Sequence, residues 1–234
     1  MSKEVIMDIH NHTNWSDGDS SIEELVVNAL KNDIGILGIS DHYNSKNTRS
    51  ITSFEDYILE IEILKNKYLS KINILSGVEI PVSSILCQEY SLKLINNLDF
   101  VLVENIENLP LHFNLESLEG HLKNITCKKG LAHTNLYTIA AKYKDIGGIN
   151  YFIQFMKKND LFFEINSNSS YSFFDDIIFY HENYWVKELY HKLNLNQIKV
   201  SIGSDSHSIE DLEKGRLLQA NKTVTENLHR INFF

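Results

Sequence analysis

The sequence predicts an α/β protein with a parallel sheet, and three observations predict it. Short runs rich in β-branched and aromatic residues recur roughly 25–40 residues apart. The segments between them carry helical periodicity, and each run is followed by a metal-capable or hydrogen-bonding side chain. Parallel strands need crossovers to return, so buried strands alternating with helices read as a parallel sheet covered by helices.

Taken in order, the strands are expected at Val5–Ile9, Ile36–Ser40, Ile72–Val78, Phe100–Val103, Gly130–Ala132, Leu161–Ile165 and Lys199–Gly203. The first helix opens on Ser20 as N-cap, with Glu23 three residues on and Ile22, Leu25, Val26, Ala29 and Leu30 at helical spacing. Further helices are expected at Ile51–Leu69, Leu115–Leu122, Tyr151–Met156 and Asn183–Leu193. Pro81 and Pro110 each follow a strand as loop punctuation. With no repeat, low-complexity tract or linker, the 234 residues are expected to form one domain around a sizeable core.

Composition narrows the function. The chain is 43% hydrophobic, yet no apolar run approaches the ~20 residues of a membrane span. The opening stretch MSKEVIMDIH lacks the charged and apolar regions of a secretion signal. Cys87 and Cys127 sit in unrelated contexts, so no disulfide framework is expected and a reducing cytoplasm fits. The net charge of −9 argues against nucleic acid or an anionic membrane as partner. It also argues against a phosphorylated substrate, unless bound cations reverse the local field.

The residues at the strand ends point to such cations. The first strand leads into His10, His12 and Asp17, and the second into Asp41 and His42. The third leads into Glu79, the fourth into Glu104 and the fifth into His133. Glu164, Asn166 and Asn168 follow the sixth, and Asp205 and His207 the seventh. In an α/β barrel the active site lies at the carboxyl ends of the strands. Residues two apart on a strand share a side, so His10 and His12 can chelate one ion together.

These motifs resemble those of the PHP family, the polymerase and histidinol phosphatase superfamily. DIHNHTNWSDG is similar to the family's opening His-x-His-Thr…Ser-Asp-Gly, and ISDHYN, GVEI, LAHTN and SIGSDSH resemble its later motifs. The resemblance covers nearly the whole chain. It implies a distorted (β/α)7 TIM-like barrel with about three divalent metal ions, zinc, manganese or iron. One departure stands out. Most members carry a histidine soon after strand four, whereas this chain reads DFVLVENIENLP. Glu104 is the natural substitute, as in the bacterial protein-tyrosine phosphatases of the family, and a carboxylate there favours manganese or iron.

Carried over position by position, the resemblance implies that His10, His12, Glu79 and Asp205 hold one ion. A second takes Glu79, Glu104 and His133, and a third takes Asp17, His42 and His207. Asp205 and His207 are also candidates for direct catalytic work, as is Asp41, which would orient a ligand or loop. The implied activity is a phosphomonoesterase that uses a metal-activated water on a small phosphorylated substrate: histidinol phosphate, phosphotyrosine or a nucleotide. The alternatives are a metal-dependent nuclease or phosphodiesterase and a non-phosphate metallohydrolase. A cysteine phosphatase would need Cys-x5-Arg, and Lys93 and His133 stand six residues after the two cysteines.

The remaining candidates are weaker. Arg216 is the best available phosphate anchor, followed by Lys142. The sequence "NSNSSYSFFDD" lacks the arginine that histidinol phosphatases of the family often carry after strand six. Either Glu164 or Asn166 is expected to face the pocket, but not both. The aromatics of 171–180 read as packing, and His112, His121, His181, His191 and His229 as structural or solvated.

Overall fold

A computed structural model describes residues 5–109 and 114–233, so Pro110 and His112 lie outside the described residues. Eight strands run in sequence order through one sheet: β1 (Ile6–Asp8), β2 (Ile34–Ile39), β3 (Asn73–Pro81), β4 (Phe100–Glu104), β5 (Lys128–Leu131), β6 (Leu161–Asn166), β7 (Lys199–Gly203) and β8 (His229–Arg230). Every pairing between neighbours is parallel. Ten α-helices accompany them among the described residues: α1 (Ile22–Lys31), α2 (Phe54–Tyr68), α3 (Val82–Leu86), α4 (Leu92–Ile95), α5 (Leu115–Leu122), α6 (Leu136–Lys142), α7 (Gly148–Lys158), α8 (Phe173–Phe179), α9 (Tyr184–Leu195) and α10 (Lys214–Asn227).

The sheet curls until its first and seventh strands meet, giving the expected (β/α)7 TIM-like barrel. Ile9 N donates to Ile202 O at 2.9 Å, Asp205 N to His10 O at 2.8 Å and His12 N to Ser206 O at 2.9 Å. The start of β7 instead pairs with β8, which was not expected. Two residues, one of them arginine, give no apolar run for a sequence reading to detect. At Met7 a side chain takes the place of a strand neighbour. Asn221 of α10 accepts from Met7 N at 2.8 Å and donates to Met7 O at 2.9 Å. A buried edge is thereby satisfied without a ladder.

Seven strands fall within a few residues of their expected positions, and Pro81 ends β3 rather than following it. The first helix begins one residue later than its reading. Ser21 is the N-cap, and Ser21 and Glu24 form a reciprocal capping box. The core is aliphatic and aromatic, with Tyr57, Phe100, Phe152, Phe163 and Phe174 fully buried among Ile and Leu side chains. No helix among the described residues is long and apolar enough to cross a membrane.

Candidate metal centre

All nine expected ligands gather at the carboxyl end of the ring. Four overlapping groups place their donor atoms within 4.8 Å of one another: His12–Asp17–His42–His207, His10–His133–Asp205, His10–His12–Glu79 and His42–Glu79–Glu104. His10 and His12 follow β1 and bring their Nε2 atoms 3.1 Å apart. Glu79 Oε2 lies 3.4 Å from both Nε2 atoms and 3.2 Å from His42 Nδ1. Its other oxygen is 3.0 Å from His133 Nε2. Asp205 Oδ1 is 3.1 Å from His12 Nε2 and 3.4 Å from His10 Nε2. Glu79 thus sits at the hub of the cluster. The grouping differs from the partition carried over from the family: Glu104 is grouped with His42 rather than with His133, His133 and Asp205 are grouped with His10, and His12 also joins Asp17, His42 and His207.

The backbone is bent to achieve this. His133 and Asp205 have φ of 29° and 51°, in the left-handed region that non-glycine residues rarely occupy. Two glycines of the motifs make room. A Cβ at Gly18 would lie 2.5 Å from His12 O, so the Ser-Asp-Gly turn folds tightly over the histidines. A Cβ at Gly203 would lie 2.2 Å from Glu164 Oε1 and 2.4 Å from the His10 Cβ.

The donor set fits divalent ions. Imidazoles and carboxylates suit zinc, manganese and iron. His12 Nδ1, His42 Nδ1 and Glu79 Oε1 are buried beside other donor atoms but without a well-aligned hydrogen bond, an expensive arrangement that a bound cation would satisfy. Charge is concentrated here. Burial opposes ionisation of Glu79, yet His10 and His133 hold its carboxyl well below the usual range. Burial, then the Glu79 charge, pushes the Glu104 carboxyl up to about 7. Burial lowers the His133 imidazole but Glu79 and Asp205 outweigh it and raise it to about 9. Asp17 raises His207 to about 9. These are imidazoles held beside carboxylates that attract cations, whether protons or metals.

Around the ligands lies a supporting layer, and here the sequence reading needs correction. Asp41 is fully buried and does not line the pocket. Its oxygens accept from Thr13 N and Oγ1, both at 2.7 Å, and from Ser16 N at 3.1 Å and Ser16 Oγ at 2.5 Å. It holds the turn that presents Asp17, the loop-orienting arrangement expected of it. Glu164 and Asn166 both face inward, contrary to the expectation of one or the other. Residues two apart share a side, the same rule that pairs His10 with His12. Glu164 is fully buried, accepting from His10 Nδ1 at 2.8 Å, from His133 N at 2.6 Å and from Asn166 Nδ2 at 3.3 Å.

Tyr171 is also more than packing. Its hydroxyl donates to Asp205 Oδ2 at 2.8 Å, and its ring stacks on His133 with centroids 4.8 Å apart. Nothing in the 171–180 run distinguishes it from its aromatic neighbours. Arg216 is not placed to anchor phosphate. Its Nε donates to Ser167 O at 2.9 Å and its Nη2 to Asp175 at 2.6 Å, and the side chain does not line the pocket. Lys142 is similarly committed to Glu107 O and Leu109 O, both at 2.9 Å. His121, His181, His191 and His229 belong to none of the four groups.

The PHP domain family matches residues 8–168, and Asp205 and His207 follow beyond that stretch. The Bacillus subtilis DNA polymerase/3'-5' exonuclease PolX is 25% identical over 232 residues, covering 96% of this chain. The chain spans 38% of the length of that relative. Among solved structures, the histidinol phosphate phosphatase of Lactococcus lactis, complexed with zinc, L-histidinol and phosphate, superposes with a TM-score of 0.66 at 15% identity, covering 97% of this chain and 95% of the other. A Listeria monocytogenes protein assigned as a histidinol phosphatase gives 0.57 at 16% identity, covering 89% and 97%. These two likenesses establish the fold. With the family match over most of its length and the groups that could hold metal ions at the strand ends, the chain belongs to the PHP domain family.

Proposed function

We propose that the protein is a metal-dependent phosphomonoesterase acting on a small phosphorylated molecule in the cytoplasm, its 234 residues a single PHP domain. The observation that carries this reading is the convergence of nine side chains that could ligate metal, seven of them lining one open cavity of about 640 Å³ and the other two, His10 and His12, fully buried beside them. In this reading His10, His12, Asp17, His42, Glu79, Glu104, His133, Asp205 and His207 hold about three ions of zinc, manganese or iron. Such ions supply Lewis acidity and make a water ionisable near neutral pH. Asp205 and His207 act as ligands that also border the reacting centre.

The chain's own residues then bind and orient. Thr48, Asn105, Asn108, Asn135 and Thr138 line the cavity and offer neutral hydrogen-bonding groups to the organic part of the substrate. No lysine or arginine lines it among the described residues. A nucleic-acid backbone is tracked by cationic side chains. Their absence from this wall favours a small phosphomonoester such as histidinol phosphate, phosphotyrosine or a nucleotide. The zinc, L-histidinol and phosphate in the Lactococcus structure support the first. The PolX match keeps a nuclease or other phosphodiesterase as the second reading.

The test is elemental analysis of protein purified without chelator, followed by phosphate release from a panel of monoesters with added manganese, zinc or iron. Phosphate release that is lost in His10→Ala and abolished reversibly by chelator is expected. Hydrolysis of single-stranded DNA or a phosphodiester, without monoester turnover, would transfer the assignment to the second reading.

A further inference from the structure

We propose that the opposite end of the barrel carries a second ligand site, which takes a small molecule bearing two or more phosphate groups. The metal centre occupies the carboxyl ends of the strands, while a separate cavity of about 470 Å³ opens at their amino ends. Lys128 and Lys129 begin β5 and Lys199 begins β7, with Lys157 at the end of α7 and Arg230 in β8 completing the basic wall. Asp160 is the one carboxylate in the lining among the described residues. This is a strong local excess of positive charge in a chain whose net charge is −9.

A lysine just outside the cavity is neutralised within the fold. Lys158, next in sequence to Lys157, lies 2.8 Å from Glu119, which also takes Lys123 at 2.6 Å. Among the described residues, none of the four lysines in the cavity has a carboxylate within ion-pair distance. Lys129 Nζ donates to Ile125 O at 2.9 Å, and the Lys128 ammonium lies 5.5 Å from the Phe233 ring. Like charges crowded in a concave wall repel one another, and low-dielectric surroundings focus their field into the cavity. A ligand with several negative charges relieves that repulsion. Phosphate groups suit lysine ammonium groups, which act as compact point charges.

The shape selects the size of the ligand. The volume lies within the ~300–1,000 Å³ range of small-molecule pockets. A nucleic acid would need an extended basic track, and this chain is acidic outside the cavity. The site is independent of the phosphatase reading, since it shares no residue with the metal centre.

The probes are inorganic pyrophosphate and ADP, each with excess magnesium and metal-loaded protein. Lysine acetylation read by mass spectrometry reports where they bind. Both probes should slow acetylation of Lys157 and Lys199, leaving Lys31 and Lys222 unchanged. Lys157→Glu combined with Lys199→Glu should weaken binding about 100-fold, because a charged hydrogen bond contributes roughly a factor of ten or more. Lys157→Ala with Lys199→Ala, read beside the melting temperature, serves if charge reversal disturbs the fold. No protection at millimolar probe overturns the proposal. Binding that survives either pair of substitutions places the ligand elsewhere and overturns it too.

Discussion

Replacing Glu164 by Gln tests how the metal centre is held in register. The substitution keeps size and removes the charge of a fully buried carboxylate. Both Glu164 oxygens receive donors: Oε1 faces His10 Nδ1 at 2.8 Å, and Oε2 faces His133 N at 2.6 Å. A glutamine must turn its NH2 toward one of them. The backbone N–H of His133 cannot change, so the amide NH2 settles on His10. His10 Nδ1 must then accept, which puts the ring proton on Nε2, the atom that lies 3.1 Å from His12 Nε2 and 3.4 Å from Glu79. An Nε2 that carries a proton cannot ligate. Loss of such an orienting carboxylate typically costs about 10–100-fold in metal affinity, or ~1.4–2.7 kcal/mol.

Metal affinity should therefore fall in Glu164→Gln, measured by competition with a chromophoric chelator. Phosphate release should fall with it and recover partly at high metal concentration. Glu164→Ala should do worse, because it also leaves the His133 N–H buried without a partner. Wild-type metal affinity in Glu164→Gln, with a melting curve unchanged, would refute the tautomer argument.

Four further outcomes follow from the same geometry. Tyr171→Phe removes the hydroxyl that donates to Asp205 at 2.8 Å but keeps the ring on His133. Metal affinity should drop about tenfold by titration, and Tyr171→Leu should drop it further. Gly203→Ala places a methyl against Glu164 and His10. It should destabilise by about 1–3 kcal/mol in urea unfolding and lower metal content, since overpacking a fixed core costs that much. Glu104→Gln should weaken one ion more than the others, seen as a fractional loss in elemental analysis, while Glu104→His should restore binding with a shift toward zinc. For the thiols, burial pushes Cys127 up to about 11, whereas Cys87 is exposed. The reactive species is the thiolate. Alkylation at pH 8 should label Cys87 first, and the Cys127 rate should rise about tenfold per pH unit up to about 11.

The fold was legible wherever burial is periodic. The strands and the helices α1, α2, α5, α7 and α9 present apolar residues at strand or helix spacing. Helix α10 escaped because its inward face includes Asn221 and Thr223 beside Leu217, Ala220 and Val224. The polar Asn221 is buried to satisfy the edge at Met7, a tertiary demand with no local signature. The candidate ligands were legible because each stands at a strand end in a recognisable motif. The supporting layer was not. Tyr171 resembles its aromatic neighbours in sequence, and Arg216 is taken up by Asp175 and Ser167 O, partners more than forty residues away that no local pattern announces.

The supporting layer also explains why the site tolerates a carboxylate at Glu104. Glu104 lies at the end of β4, with Oε1 3.8 Å from His42 Nδ1 and Oε2 accepting from Asn105 Nδ2 at 2.7 Å. Its neighbour Glu79 is held well below the usual carboxylate range by imidazoles on several sides, whereas Glu104 takes a hydrogen bond from a neutral amide and has the His42 imidazole at 3.8 Å. Two adjacent carboxylates repel unless a cation stands between them. The cluster is therefore built unevenly. Glu79 sits in a rigid nest that Glu164, Tyr171 and Asp41 fix through His10, His133, Asp205 and the 13–16 turn. Glu104 occupies the side facing the cavity, where an ion shared with His42 and Glu79 would neutralise an extra negative ligand. On this argument the ion beside Glu104 should be the first lost to a chelator and the one whose identity is most easily exchanged. Stepwise chelation followed by elemental analysis checks this. Simultaneous loss of all ions from wild-type protein, with stepwise loss only in Glu104→His, would reverse it.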